Sequence, residues 1–256
     1  MQYGICNLSI VQLRLEPTDC SEMVSQVIFG EHFTVLEKDK KWSKIKLHFD
    51  NYEGFIDNKQ YQTIPVDIYQ TISEEKPHFS GELIDFITDK KNQLTTIPIG
   101  ARLPLFNNEK FTINKQSFSY EGKVHSGKLD KSAVVKMAFL FLNSPYLWGG
   151  KTPFGIDCSG LTQMTYKING HQLLRNASEQ ATQGEALSFI EESEPGDLAF
   201  FDNKDGIIDH VGIIMQDNYI IHAHGKVRID RIDHTGIFNN ELKNYTHKLR
   251  VIKKII

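Results

Sequence analysis

The sequence predicts small β-barrels in its first half and an α+β domain in its second. Three observations carry this reading. Short β-branched runs broken by turn residues fill the chain up to about residue 127, a helical pattern begins near Asp130, and the last third consists of strands alone.

Residues 1–127 show no long helical period. Apolar runs at 23–29, 33–37, 43–47, 54–56, 64–69, 93–97 and 111–113 are brief and evenly interrupted, as in small barrels. Trp42 opens a strand that leaves a turn, and Glu53 to Asp57 re-enters the same barrel. A first barrel is expected over 1–62 and a second, divergent one over 63–127, with a possible helical turn at 80–90. From Asp130 the character changes: Asp130 can cap free amides, apolar residues recur at helical spacing to Asn143, and Pro145 ends the helix. A Gly-rich loop at 148–155 leads to a second helix starting near Cys158 and running past Ile168 to Gly170. Strands are expected at 198–201, 211–215, 219–223, 226–231 and 249–255, which makes 128–256 an α+β domain.

The 256 residues carry a formal net charge of −3, which gives no general attraction for nucleic acid. No apolar run is long enough to span a bilayer, and Met1 to Cys6 lacks the basic and apolar regions of a secretory signal. Neither nucleic acid nor membrane is expected as a partner. Cys6, Cys20 and Cys158 are too few for a disulfide scaffold and favour a reducing cytoplasm, where a thiol stays usable.

Cys158 lies in Gly155-Ile156-Asp157-Cys158-Ser159-Gly160-Leu161. At a helix start, unpaired amides and the helix dipole face the sulfur and favour thiolate. Small Ser159 and Gly160 let the first turn press close to other backbone, and the same amides can stabilise an oxyanion. An inert buried cysteine is the plain alternative, so a partner base decides.

Two strands carry histidines: Asp209 to Met215 and Tyr219 to His224. A two-residue turn at Asp217-Asn218 would pair Ile213 with His222. A three-residue loop, Gln216 to Asn218, instead pairs Ile213 with Ile221 and Val211 with Ala223, making one face apolar. The other face then gathers His210, Gly212, Ile214, Ile220, His222 and His224. One imidazole can take the thiol proton while a second orients it. His210 is expected as base and His222 as orienter, with His224 as alternate. The same sulfur and imidazoles could ligate zinc, but no Cys-x-x-Cys pair supports a metal site, and no cofactor is expected.

Tyr146-Leu147-Trp148-Gly149-Gly150, the Cys158 segment, Pro195-Gly196-Asp197-Leu198, His210-Val211-Gly212-Ile213 and Ile221-His222-Ala223 together closely resemble the NlpC-type cell-wall peptidases. The likeness covers about 128–256 and implies a papain-like fold with a Cys–His–polar triad at Cys158, His210 and His222. Within the family the chain looks most like members with SH3-like domains ahead of the catalytic unit. The resemblance implies hydrolysis of the γ-D-glutamyl–diamino acid bond in murein peptides such as L-Ala-γ-D-Glu-diamino acid, with a free N-terminal L-alanine. It also implies that Asp157 meets the substrate ammonium, that Ser178 helps hold that end, and that a first-barrel tyrosine covers it. Tyr52 is the candidate, with Tyr3 and Tyr61 as alternatives. Ser159 is expected near the substrate, and Tyr146 and Trp148 are expected to line or floor the cleft. Asp157 could instead cap the helix, or do both. Two rival functions are an endopeptidase or amidase acting on intact peptidoglycan, and a non-catalytic wall-binding module.

Overall fold

Seven strands open the chain: β1 (Gln2–Ile5), β2 (Ile10–Arg14), β3 (Met23–Ile28), β4 (His32–Lys38), β5 (Trp42–Leu47), β6 (Glu53–Asp57) and β7 (Gln62–Ile64). In the computed structural model, which describes residues 1–256, they form one antiparallel sheet in the order β3-β2-β6-β5-β4-β1-β7. Strand β5 shows the cause clearly. Ser43, Ile45 and Leu47 alternate inward, and the two apolar ones join Val11, Leu13, Val27 and Phe33 in a buried cluster. The inward Ser43 is satisfied by bonds to Asn58 at 2.6 Å and to the Tyr61 hydroxyl at 2.9 Å.

Next come α1 (Val66–Glu74), β8 (His78–Ser80), β9 (Ile84–Asp89), β10 (Leu94–Pro98), β11 (Lys110–Ile113), β12 (Gln116–Ser119) and β13 (Val124–Ser126). Strands β9 to β12 form a four-stranded sheet, and β13 pairs with β8. Three expectations are corrected here. The run at 64–69 is not one strand: β7 ends at Ile64, and the helix follows Pro65, whose fixed φ suits a helix start. Residues 84–89 form a strand, not a helical turn. The expected boundary at 62/63 falls inside β7, which pairs with β1. Moreover, Ile5, Phe29 and Ile64 share a core with Ile72, Ile87 and Phe111, so residues Met1–Gly127 form one compact unit.

The second unit is Lys128–Ile256. Helix α2 (Ser132–Leu140) begins without a side-chain cap. Asp130 contributes its carbonyl to the Ala133 amide at 2.8 Å, not the expected carboxylate. A short hairpin, β14 (Lys151–Thr152) and β15 (Gly155–Ile156), leads into α3 (Cys158–Ile168), and α4 (Ala177–Gln180) follows. All of α3 is buried, including Thr162, Gln163 and Lys167. Its polar side chains are accommodated by bonds such as Thr162 to Gln180 at 2.7 Å and Gln163 to the Leu173 carbonyl at 3.1 Å.

Strands β16 (Glu185–Leu187), β17 (Leu198–Asp202), β18 (Ile208–Ile214), β19 (Tyr219–His224), β20 (Lys226–Ile232), β21 (Gly236–Asn239) and β22 (Asn244–Lys254) follow. Their order is β16-β22-β17-β18-β19-β20-β21, and an added β21–β22 pairing closes six of them on one another. Closure leaves no open edge between those six. Ala199, Phe201, Ile214, Ile220, Ile237 and Ile252 form the interior cluster. Register follows the hydrophobic pattern: Ile213 faces Ile221, Gly212 faces His222, and the Met215 amide donates to the Tyr219 carbonyl at 2.8 Å. Asp217 and Asn218 take positive φ in the three-residue loop, as short polar side chains tolerate. A Cβ at Gly212 would lie 2.7 Å from Ile220 Cδ1 and 3.0 Å from His222 Cβ, so a larger residue would crowd both side chains.

Candidate active site

The start of α3 is held by one carboxylate. Asp157 accepts from the Gly160 amide at 2.6 Å, capping the helix, and from the Gly149 amide at 2.8 Å, tying in the preceding loop. Arg175 clasps the same group with two bonds, at 3.1 and 2.6 Å, and both residues are buried. The Ser159 hydroxyl donates to Asp157 at 3.3 Å and accepts from Arg175 at 2.9 Å. Gly160 has no alternative, since a Cβ there would strike the Gly150 carbonyl.

This network changes two expectations. Five donors converge on Asp157, more than the roughly four lone-pair sites of a carboxylate; a substrate ammonium there would have to displace a bond. Ser159, expected near the substrate, is buried, and its hydroxyl is part of the same network. Arg175 was missed by sequence reasoning, because no local spacing links it to Asp157.

The Cys158 sulfur rests against the strand that carries His210. Its thiol donates to the Asp209 carbonyl at 3.8 Å, and the Val211 amide also interacts with the sulfur. The expectation of a resting thiolate is corrected. Burial, followed by the adjacent Asp157 charge, pushes the thiol up to about 12, and the Val211 and Ser159 amides and Arg175 offset this only in part.

His210 and His222 are joined by a ring-nitrogen hydrogen bond of 2.9 Å, Nε2 to Nδ1, and His222 Nε2 lies 3.1 Å from Asp230 Oδ2. Arg228 grips Asp230 through bonds of 2.6 and 3.0 Å. Burial raises the Asp230 carboxyl, but His222 and Arg228 outweigh it and hold it down at about 2. The carboxylate is therefore charged and can only accept. His222 must donate from Nε2, which leaves its Nδ1 a bare acceptor. His210 in turn donates from Nε2, so the lone pair that remains to it is on Nδ1. One carboxylate thus sets two tautomers and leaves His210 Nδ1 as the basic atom. Asp230 was not found from sequence. The register that places it diagonally from His222 on β20 was its only signal.

His247, from β22, stacks on His210 with ring centroids 4.0 Å apart. Burial, then His222, His247 and His224, hold His210 well below its ordinary value, and burial brings His247 down to about 3. His210, His222 and His247 offer ring nitrogens within 4.8 Å of one another, a spacing that a metal could use, and Cys158 is not in that group. Both nitrogens of His222 and one of His210 are already committed to hydrogen bonds, so this set fits proton transfer better than ligation. His224, the alternate orienter, is exposed, with its ring 6.4 Å from those of His210 and His222.

Half-buried Tyr146 has its hydroxyl raised to about 12, first by burial and then by Cys158 and Asp157. Trp148 is 60% exposed on the adjoining loop. Ser178 is exposed on α4, which Gln180 ties to the first turn of α3 through a 3.0 Å bond to the Ser159 carbonyl. In the first unit, Tyr61 is buried against Ser43, Tyr3 stacks on Tyr69 at 4.2 Å, and Tyr52 is half-buried at the edge of the barrel core. The arrangement around Cys158 can deliver a nucleophilic sulfur, an oriented base and helix-start amides for a developing oxyanion.

Comparison with known proteins agrees with this chemistry. Residues 143–246 match the NlpC/P60 family, and residues 13–60 match the bacterial dipeptidyl-peptidase SH3 domain. A γ-D-glutamyl-L-lysine dipeptidyl-peptidase from Bacillus cereus is 25% identical over 80% of this chain and 68% of its own length. Its namesake from Bacillus subtilis is 26% identical over 86% and 74%. A crystal structure of an NlpC/P60 family protein from Bacillus cereus shares the fold, with a TM-score of 0.82, 19% identity and 99% of both chains covered. The matched segment contains Cys158, His210, His222 and Asp230, the residues that the geometry brings together. The chain is an NlpC/P60 family cysteine peptidase whose catalytic domain follows an N-terminal SH3-like domain.

Proposed function

We propose that the enzyme cleaves the γ-D-glutamyl–diamino acid bond of short murein-derived peptides that begin with a free L-alanine. The observation that carries this reading is likeness along most of the chain, barrel and catalytic unit together, to relatives named for that bond. A reducing compartment, the cytoplasm, suits the three free cysteines.

In this mechanism Cys158 Sγ attacks the scissile carbonyl carbon as its proton passes to His210 Nδ1. The imidazolium that forms is stabilised through His222 by the Asp230 carboxylate. Amides at the start of α3 stabilise the oxyanion. On collapse the C–N bond breaks and His210 gives the proton to the leaving amine. Water then attacks the thioester, His210 takes its proton, and the acyl group departs as a carboxylic acid while the thiol re-forms.

Supporting a free-amine preference, the relatives are named as dipeptidyl-peptidases, which act from an N-terminus. Asp157 can contribute to that preference only by exchanging one of its present bonds. The test compares L-Ala-γ-D-Glu-L-Lys with its N-acetylated form. At least a hundredfold drop in kcat/KM on acetylation is expected, of the order of losing a charge-assisted pair. Equal rates would contradict the reading and favour an endopeptidase acting on intact peptidoglycan.

A further inference from the structure

A cavity of about 520 Å³ opens beside the catalytic histidine, walled by Asp202, Asp209, Tyr245 and His247, with Lys204 and Lys248 also in its lining. Its position is defined by two contacts already described. His247 stacks on His210, and the carbonyl of Asp209 receives the Cys158 thiol. The cavity therefore begins one residue away from each member of the reacting pair. Because the departing amine must take its proton from His210, the residue that bears this amine lies on the His210 side.

The lining includes an unmet demand for a donor. The Asp202 side chain is only 6% exposed, and its Oδ1 has no hydrogen-bond partner. Its nearest cation, Arg250, stands at 3.9 Å and is itself 64% exposed, too far for a hydrogen bond. Asp209 faces the same space, and burial together with the Asp202 charge raises its carboxyl. A cation bound in the cavity would offset the Asp202 charge that bears on the Asp209 carboxyl.

We propose that this cavity is the subsite for the leaving diamino acid, with Asp202, aided by Asp209, holding its side-chain ammonium and Lys204 and Lys248 its carboxylate. The proposal rests on the peptidase reading above and adds the residues that select a cationic side chain. A pocket of this size with a few placed polar groups is of the kind that fixes a small ligand.

The test measures kcat/KM for L-Ala-γ-D-Glu-L-Lys and for the same peptide ending in L-norleucine, which keeps the carbon chain and removes the ammonium. Wild-type enzyme is expected to prefer lysine by about tenfold or more, and Asp202→Asn is expected to bring the ratio close to one. Asp209→Asn, a change at an exposed side chain, is expected to reduce the same ratio and carries the test if Asp202→Asn does not fold. A wild-type ratio near one overturns the subsite while leaving the bond assignment intact, as does a full ratio that persists in the folded variants. Failure of wild-type enzyme to cleave either peptide overturns the bond assignment and the subsite with it.

Discussion

Replacing Cys158 with Ala is expected to lower kcat/KM on the order of 10⁶-fold, to the residual level that binding and oxyanion donors alone support. The sulfur lies against the His210 strand, in contact with the Asp209 carbonyl and the Val211 amide. Of the other two thiols, Cys6 is buried in the first barrel core and Cys20 is exposed on the first unit. Stability should change by only ~1 kcal/mol, the scale of a small cavity. Circular dichroism and thermal melting beside the kinetics check both halves. A folded Cys158→Ala enzyme with more than a few per cent of wild-type activity would contradict the assignment.

Arg175→Met is expected to destabilise the second unit by about 3–5 kcal/mol, read as a lower urea midpoint. Arg175 is 1% exposed and its partner Asp157 is 6% exposed, so the substitution leaves a carboxylate buried without its counter-charge. Such a loss is a large share of the ~5–15 kcal/mol that holds an ordinary domain folded. Adding Asp157→Leu should restore only part of it. The apolar pair no longer strands a charge, but the α3 cap and the Gly149 tether are gone. A change below about 1 kcal/mol for the single variant would show that the ion pair is not what fixes the helix start.

Much of the site was legible in the sequence where the signal is local. The Cys158 helix start, the three-residue loop after Met215 and the face that collects His210 and His222 all follow from patterns within a dozen residues. Residues that act from elsewhere in the chain were not visible: Arg175 reaches Asp157 across 18 positions, and His247 comes from the last strand. Asp230 lay nearer but needed the β19–β20 register, which no turn residue announced as clearly. The thiol's ionisation was misjudged because a helix start is a local feature, whereas burial depends on everything packed around it. In the first half, 64–69 reads as a strand by composition. It divides because Ile68, Tyr69 and Ile72 pack as one helical face on the core shared with Ile5 and Phe29.

The central claim is that Asp230, acting through His222, keeps His210 neutral and protonated on Nε2, with Nδ1 left bare as the base. Long-range ¹⁵N–¹H spectroscopy of histidine-labelled enzyme near pH 7, assigned with a His210→Gln control, reads this state directly. One Nε2–H imidazole with an unprotonated Nδ1 is the expected signature for His210. A doubly protonated ring, or a proton on Nδ1 instead of Nε2, would contradict the account.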